Sequence, residues 1–459
     1  MAMDWKKLLS THRLKPRKEQ SQVEGDVRSQ FDRDYDRIVY SMPFRRLQDK
    51  TQVFPLEPMD SVRTRLTHSL EVSHAAQGLA KGICRAMMNK GIIDREQAAG
   101  IETIAATCGL MHDLGNPPFG HSGEVAIADW FAREKGALVG LEGAHREDFA
   151  KFEGNAQTLR LVSRLQVLAD FHGLDLTCGT LSAATKYTAA SNEVGAEDEQ
   201  MHERSKVGFF CSERETIEQV RERTGTGTAR NPIAFLVEAA DDAVYNTVDL
   251  EDGLRKGLLD WPTLKEELKR LSGNDEIVTD CIEWAEGRVV GKGSEVDLEG
   301  RARDEAIVQY FRVRAIGRVV TAAAEAFAAN YDKIMAGSFH GELVEVSAAG
   351  PMLDACKKIN RDRIYCSQET LRLELMGRRI IWDLMDLFWE GSQSLDRRKG
   401  SFAHKAWNLF SANYRSVFDR AREDGQLPVR YCQLQLVTDY VCGMTDSFAA
   451  ALHKRLTNG

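Results

Sequence analysis

The sequence predicts an all-α protein, and its composition and spacing support this class. Ala, Leu, Glu, Lys and Arg are frequent, only 10 prolines interrupt the 459 residues, and apolar residues recur at spacings of three and four. With 43% hydrophobic and 28% charged residues, the chain has the composition of a globular protein. Its formal net charge of −8 excludes a polybasic binder of nucleic acid or membranes.

The apolar spacing predicts helices over 66–89, 100–113, 231 to about 249, 304–331 and 369–390. Gly115 and the two prolines that follow end the second helix. Asn231 is a favourable N-cap for the third, and Pro232 suits the first helical position. The polar, acidic stretch 191–204 and the segment TGTGTAR from Thr224 predict mobile surface insertions.

The chain carries no pattern of a secreted or membrane-bound protein. Its nine cysteines are scattered, with no CxxC pair, which is typical of free thiols in a reducing compartment. The basic segment from Lys6 to Lys18 lacks the apolar stretch of a signal peptide. No run of ~18 or more apolar residues could span a membrane. We therefore expect a cytoplasmic protein with no membrane segment, and contact of the basic segment with nucleic acid stays uncertain.

Side chains that bind divalent metals occur on three separate predicted helices. They are His68 in RLTHSLEV, the pair His112 and Asp113 in LMHDLGN, and the pair Asp241 and Asp242 in EAADDAVY. Imidazole and carboxylate groups suit a first-row divalent cation. Both acidic groups follow apolar segments, where an unpaired charge is costly to bury, and a shared cation would neutralise them. A histidine on an apolar helix can equally be a core residue, so the residues alone leave both explanations open.

Helical geometry places three polar residues on one face. Tyr245 and Asp249 follow Asp241 by four and eight positions, and each step of four rotates the helix by only ~40°. Asp242 points ~100° away from that face. A core tyrosine and a surface carboxylate would also explain Tyr245 and Asp249.

His121 and Glu124 form a second candidate pair, which begins eight residues beyond Asp113. They stand one turn apart if a helix begins after the PPFG turn. Glu124 could then orient His121 and raise its basicity, which suits a general acid or base. A capping carboxylate and a surface histidine are the alternative.

Six blocks of the sequence together resemble one family. They are FRRLQDKTQVF (44–54), RLTHSLEV (65–72), HDLGNPPFGHSGE (112–124), FEGNAQTLR (152–160), LVEAADDAVYNTVDLEDG (236–253) and DYVCGMTDSFA (439–449). In this order they are similar to HD-domain phosphohydrolases, and within them to the deoxynucleoside triphosphate triphosphohydrolases, or dGTPases. The third block is the most specific, because it separates this family from other HD enzymes.

The resemblance implies a role for each candidate residue. One divalent metal, Mn²⁺ or Mg²⁺ above all, would be held by His68, His112, Asp113 and Asp241. The acid/base pair would be His121 and Glu124. The substrate would be bound by Gln52, Arg65, Asn155, Lys186, Tyr245 and Asp249. Tyr245 would pack against the sugar and exclude a 2′-hydroxyl, and Asp249 would accept the 3′-hydroxyl. Arg45, Arg46 and Lys50 are further candidates for contact with the substrate.

The resemblance also implies an architecture: an HD-domain helical fold with additional C-terminal helices. Residues 1–40 would be an N-terminal extension and 41–253 the HD core, with a polar insertion at 191–229. Residues 254–459 would form a C-terminal helical region packed on this core.

The activity implied is metal-dependent hydrolysis of dGTP, or of several dNTPs, to deoxynucleoside and inorganic triphosphate. A homo-oligomer, often a hexamer, and an activating nucleotide at a separate site are further family properties. Two alternatives stay open: an HD phosphohydrolase that acts on another nucleotide phosphoester, and a non-catalytic scaffold that senses nucleotides.

Overall fold

A computed structural model describes residues 2–15, 26–166, 170–195, 201–290, 297–393 and 399–457. These residues form 21 α-helices and one pair of short parallel strands, which confirms the all-α prediction. The helices are α1 (Trp5–Leu8), α2 (Gln30–Val39), α3 (Met42–Arg46), α4 (Arg65–Asn89), α5 (Arg95–Met111), α6 (Gly120–Arg133), α7 (Ala144–Ala150), α8 (Gly154–Arg160), α9 (Cys178–Ala184), α10 (Arg214–Thr224), α11 (Pro232–Arg255), α12 (Trp261–Leu271), α13 (Glu276–Val289), α14 (Gly300–Ala329), α15 (Tyr331–Met335), α16 (Gly350–Ile359), α17 (Gln368–Gln393), α18 (Phe402–Leu409), α19 (Ala412–Asp424), α20 (Val429–Cys442) and α21 (Asp446–Leu456). The strands are β1 (Ala189–Ala190) and β2 (Val207–Phe209).

The five predicted helices are present, and two of them have boundaries that differ for identifiable reasons. Helix α5 begins before residue 100 because Asp94 and Gln97 form a reciprocal capping box. Helix α11 begins at the predicted cap, where the Asn231 side chain accepts the Ile233 N–H. It continues past residue 249 because Leu254, which is buried, extends its apolar face.

The buried apolar residues form two clusters, and both contain helices from the C-terminal half. The first cluster joins α4, α5 and α11 to α12, α13, α14 and α16. The second joins α6, α7 and α8 to α17, α19 and α20. In the C-terminal half, α12, α13, α14 and α16 therefore cover α4 and α5, and α17, α19 and α20 cover α6 and α8. Among the described residues, no helix is both long and apolar enough to span a membrane.

The N-terminal residues 2–15 pack on the helical core. Trp5 and Leu8 of α1 are buried, and the Met3 N–H donates to the Met335 carbonyl. Lys6 and Lys7 on the same helix are exposed. The part of the basic segment beyond residue 15 lies outside the described residues.

Two polar residues of the stretch 191–204 are buried, contrary to the predicted surface insertion. They are Ser191 and Glu203, and the His202 Nε2 lies 2.9 Å from Glu238 Oε1 on α11. Asn192, Gly195 and Met201 are exposed. Ser191, His202 and Glu203 have partners elsewhere in the chain, so their polarity does not indicate solvation. Residues 196–200 lie outside the described part of the chain.

A buried ionic bridge joins the N-terminal half of the chain to α20. Arg160, at the end of α8, donates through Nε and Nη2 to the two carboxylate oxygens of Asp439, at 2.8 and 2.7 Å. Its Nη1 donates to Glu213 at 2.9 Å, and Gln157 donates to Asp439 at 2.9 Å. Both carboxylates and the guanidinium are almost fully buried, so each charge depends on the others.

We expect Asp439→Ala to lower the free energy of unfolding by about 3–5 kcal/mol, because it leaves Arg160 with one carboxylate for a buried positive charge. The exposed pair of Arg420 with Asp424 provides a control. Asp424→Ala should change stability by less than about 0.5 kcal/mol. Urea denaturation of both variants makes the comparison, and equal midpoints would contradict the prediction.

Candidate functional site

Three helices bring the predicted metal ligands together. His68 lies one turn into α4, His112 directly follows α5, and Asp241 lies in the middle of α11. His68 Nε2 is 3.0 Å from Asp241 Oδ1, and His112 Nε2 is 3.7 Å from the same oxygen. Ligands of an octahedral cation with bonds of ~2.1 Å stand ~3 Å apart, so the donor atoms of His68, His112 and Asp241 are spaced closely enough to share one ion. Asp113 lies beside this group, with Oδ2 3.5 Å from His112 Nε2, and its two oxygens accept hydrogen bonds from Arg65 and Asn116.

A hydrogen bond of His112 orients its ring so that Nε2 faces His68 and Asp241. Its Nδ1 donates to the Gly109 carbonyl at 2.8 Å, which leaves Nε2 with a free lone pair. Such an outer contact is typical of metal-binding histidines. His68 Nδ1 is buried and has no hydrogen-bond partner within the described residues. Two imidazoles and the Asp241 carboxylate at one point, with Asp113 beside them, therefore fit a divalent cation of the first transition row.

Asp113 is held in its charged form. Burial raises the pKa of the Asp113 carboxyl, but the Arg65 guanidinium, His112 and His68 outweigh this effect and keep the pKa well below its ordinary value. Arg65 Nη1 donates directly to Asp113 Oδ2. Arg65 is itself buried on the first turn of α4, one turn before His68. This guanidinium therefore lies beside the candidate metal ligands.

Asp241 and Asp242 point to different partners, as the helical geometry predicts. Asp241 faces His68 and His112, whereas Asp242 Oδ1 lies 3.8 Å from Lys357 Nζ. Burial raises the pKa of Asp242 to about 7, with Lys357 opposing it. Asp242 thus lies away from the donor atoms of the cluster.

His121 and Glu124 stand one turn apart at the start of α6. His121 Nδ1 donates to Glu124 Oε2 at 3.1 Å, and this hydrogen bond raises the pKa of the imidazole. Glu124 Oε1 accepts the Gly154 N–H of α8 at 2.5 Å, which fixes the carboxylate. The other ring nitrogen of His121 is left for a reacting group.

One cavity contains most of the predicted site. Its lining includes eight of the twelve predicted residues: Arg65, His112, Asp113, His121, Glu124, Asn155, Lys186 and Asp241. It also includes five residues with polar side chains that sequence reasoning missed: Asn116, Glu153, Tyr187, Lys206 and Glu238. Five carboxylates and three cationic side chains line this cavity, and one divalent cation would balance the excess of two negative charges.

The cations of the cavity are held by buried carboxylates. Lys186 Nζ lies 3.3 Å from Glu238 Oε1, and Arg230 donates to the other oxygen of Glu238 at 2.6 Å. Glu238 lies one turn before Asp241 on α11, within the sequence block 236–253 that resembles the family. Lys206 Nζ lies 3.5 Å from Glu153. Lys206 could not be identified from sequence, because it follows the polar stretch 191–204, which the composition predicts to be a surface insertion.

Tyr245 and Asp249 lie deeper along α11 and do not line this cavity. The Tyr365 hydroxyl donates to Asp249 Oδ2 at 2.5 Å, and Asp249 Oδ1 is buried without a hydrogen-bond partner among the described residues. Burial raises the pKa of Asp249 to about 7, and the bond from Tyr365 opposes this. Tyr365 could not be found from sequence, because it is 116 positions away with no motif around it.

The remaining predicted residues lie at the edges of the site. The Gln52 carbonyl is near Gly120, where a β-carbon would be 3.9 Å from it, but Gln52 does not line the cavity. Lys50 and Arg46 donate instead to backbone carbonyls, those of Asn116 and Cys442 for Lys50 and that of Gly443 for Arg46. Arg45 is exposed. None of these last three lines the cavity.

The helical fold and the histidine–aspartate cluster define the class of HD-domain phosphohydrolases. Residues 65–170 match the HD domain family, and residues 347–455 match the phosphohydrolase-associated domain. The first match contains α4, α5 and α6, which carry His68, His112, Asp113, His121 and Glu124. The second contains α17 to α20 and most of α21.

Full-length relatives specify the family further. The chain is 35% identical to the deoxyguanosinetriphosphate triphosphohydrolase-like protein of Listeria monocytogenes and 34% identical to that of Synechocystis sp.. It is 30% identical to the deoxyguanosinetriphosphate triphosphohydrolase of Yersinia enterocolitica. Each comparison covers 99% of both chains. The protein belongs to the HD-domain deoxynucleoside triphosphate triphosphohydrolase family.

We expect Asp241→Ala to lose tightly bound divalent metal, because it removes the carboxylate nearest to both imidazoles. Asp242→Ala is the matched control, since it changes the neighbouring carboxylate and should retain the metal. Metal content after dialysis, measured by plasma mass spectrometry, and Mn²⁺ titration followed by electron paramagnetic resonance would compare the two. Metal loss in Asp242→Ala alone would contradict the assignment.

Proposed function

We propose that the protein hydrolyses deoxynucleoside triphosphates, dGTP or several dNTPs, to deoxynucleoside and inorganic triphosphate. The observation that carries this proposal is that one cavity is lined both by His112 and Asp241 of a cluster suited to a divalent metal and by a separate histidine–glutamate pair. The names of the relatives support the same reaction. Bond cleavage would fall between the 5′-oxygen and the α-phosphorus.

The charges of the cavity suit a polyphosphate. His68, His112, Asp113 and Asp241 would hold the metal, Mn²⁺ or Mg²⁺, which when bound supplies Lewis-acid polarisation of a phosphate oxygen. Arg65, Lys186 and Lys206 supply positive side chains to a ligand with about four negative charges. Asn155 adds an uncharged donor at the same wall. These groups would bind the triphosphate and offset charge that develops during cleavage.

His121 is placed for proton transfer. Its Nδ1 is occupied by Glu124, so Nε2 is the atom that can exchange a proton with a reacting group. The raised pKa of His121 favours the imidazolium, which could donate a proton to the departing 5′-oxygen. After the proton has left, the same nitrogen could accept one from water, so Glu124 supports either role.

The polar groups along α11 support recognition of a deoxyribose. Asp249 has one oxygen on Tyr365 and one buried oxygen without a partner among the described residues, and by the family resemblance this carboxylate would accept the 3′-hydroxyl. Tyr245 precedes Asp249 by one turn and by the same resemblance would exclude a 2′-hydroxyl by contact with the sugar. Gln52 would also contact the nucleoside by that resemblance, although none of the three lines the cavity. A homo-oligomer, an activating nucleotide and a cytoplasmic location stay predictions.

The reaction can be tested by its products. Purified protein loaded with Mn²⁺, and separately with Mg²⁺, is incubated with each dNTP and with GTP, and the products are resolved by ion-exchange chromatography. We expect deoxynucleoside and triphosphate in equal amounts and no cleavage of GTP. Orthophosphate or pyrophosphate would favour another phosphohydrolase activity, and an absence of turnover with every nucleotide would favour either a missing activating nucleotide or the nucleotide-sensing scaffold.

We expect His121→Ala to retain metal and to lower kcat about 100-fold or more, because it removes the proton-transfer group but no metal donor. His74→Ala, which changes an exposed histidine of α4, is the control and should leave kcat unchanged. Steady-state kinetics and metal content are measured on the same preparations. Wild-type turnover in His121→Ala would remove the acid/base assignment.

A further inference from the structure

A short turn connects the two halves of the candidate site. It runs from Asp113, in the metal-binding cluster, to His121 on α6. Its beginning is fixed on α8, since the Gly115 N–H donates to Thr158 Oγ1 at 2.9 Å. Its end is conformationally costly, because Phe119 adopts a left-handed conformation with φ of 64°. A non-glycine residue keeps such a conformation only where its surroundings impose it.

The surroundings that impose this conformation come from the C-terminal end of the described chain. Asp446 Oδ1 accepts the Phe119 N–H at 2.8 Å. Asp446 Oδ2 accepts the Thr51 N–H at 3.0 Å and also the Thr51 hydroxyl. Asp446 is only 2% exposed, so the Phe119 N–H is paired by a buried carboxylate across a tertiary contact.

The Asp446 carboxylate does not cap its own helix. It is the first residue of α21, and the preceding residue, Thr445, is the N-cap that accepts the Phe448 N–H. The three hydrogen bonds to the Asp446 carboxylate come instead from the Thr51 N–H, the Thr51 hydroxyl and the Phe119 N–H. A role as a helix cap therefore does not account for the direction of this side chain.

A second contact holds the same turn. Lys50 Nζ, which is buried, donates to the Asn116 carbonyl at 2.5 Å and to the Cys442 carbonyl at 2.7 Å. Asn116 in turn donates from its side chain to Asp113 Oδ1 at 2.5 Å. Lys50, which is itself bonded to the last residue of α20, thus holds the first part of the turn, and Asp446 holds its end.

We propose that Asp446 is a positioning residue, whose carboxylate fixes the turn at Phe119 and thereby the direction in which α6 presents His121 and Glu124. Helix α6 starts at Gly120, directly after Phe119, so a rotation of the backbone there moves His121 relative to Asp113. The close approach of Arg65 depends on the same turn, because a β-carbon on Gly120 would lie 3.0 Å from its Nη2. The catalytic consequence of this inference rests on the proposed function, but the structural part does not.

Hydrogen exchange tests the structural part without a substrate. Asp446→Ala removes the acceptor of the Phe119 N–H, whereas Thr51→Val removes only a hydroxyl bonded to the same carboxylate. In the full-length, metal-loaded protein, we expect peptides that cover 114–122 to exchange at least about tenfold faster in Asp446→Ala only. Peptides from the middle of α4 should not change. Equal exchange in wild type and Asp446→Ala, or equal acceleration in both variants, would overturn the proposal.

Kinetics test the catalytic part. We expect Asp446→Ala to lower kcat about 100-fold, with KM and metal content within about twofold of wild type, because a small displacement of an acid/base group costs this much. Asp446→Asn keeps one acceptor for Phe119 and should lower kcat by a smaller factor than Asp446→Ala, about threefold to tenfold. Thr51→Val should keep the wild-type kcat.

The outcomes separate the two proposals. If wild type releases no triphosphate from any dNTP, the proposed function fails while the exchange result still decides the role of Asp446 in the turn. If Asp446→Ala does not fold, Asp446→Asn is compared with Thr51→Val at matched thermal stability. Equal kcat values in these two variants, or a change in KM alone, would overturn the positioning role.

Discussion

The packing of α4, α5 and α11 against one another imposes the main constraint on this protein, because their contact buries ionisable groups. Asp113 and Asp241 are both carboxylates in a region where isolated charge is unfavourable. Arg65 and two imidazoles offset part of that cost, and the remaining negative charge fits a divalent cation. The helices that pack on α4, α5 and α11 therefore hold these three helices together, and α6 brings His121 and Glu124 to the edge of the cluster.

Much of the fold could be predicted from sequence, because helix caps and apolar spacing are local signals. The same holds for the cluster, since His68, His112 and Asp241 sit on recognisable helices and in specific blocks. Tyr365 and Lys206 could not be predicted in this way. Each is brought to the site by tertiary packing, and neither has a pattern of neighbours that indicates a ligand.

The insertion between β1 and β2 shows why polarity alone misleads. Its charged residues suggested solvent exposure, yet His202 lies on Glu238 and Glu203 pairs with His340 at 2.6 Å. Glu238 also faces Lys186 and Arg230, so the insertion contributes to the charge balance of the cavity wall. Only the fold reveals which of these charges have partners, because the partners come from distant parts of the chain.

The contact of Lys50 with Cys442, the last residue of α20, joins positions 392 residues apart, and that of Thr51 with Asp446 joins positions 395 apart. During synthesis, the histidine–aspartate helices leave the ribosome long before α21 does. The contacts of Asp446 with the turn before α6 can form only after translation has passed Asp446. A nascent chain can thus assemble the histidine–aspartate cluster before it completes the contacts that hold the start of α6.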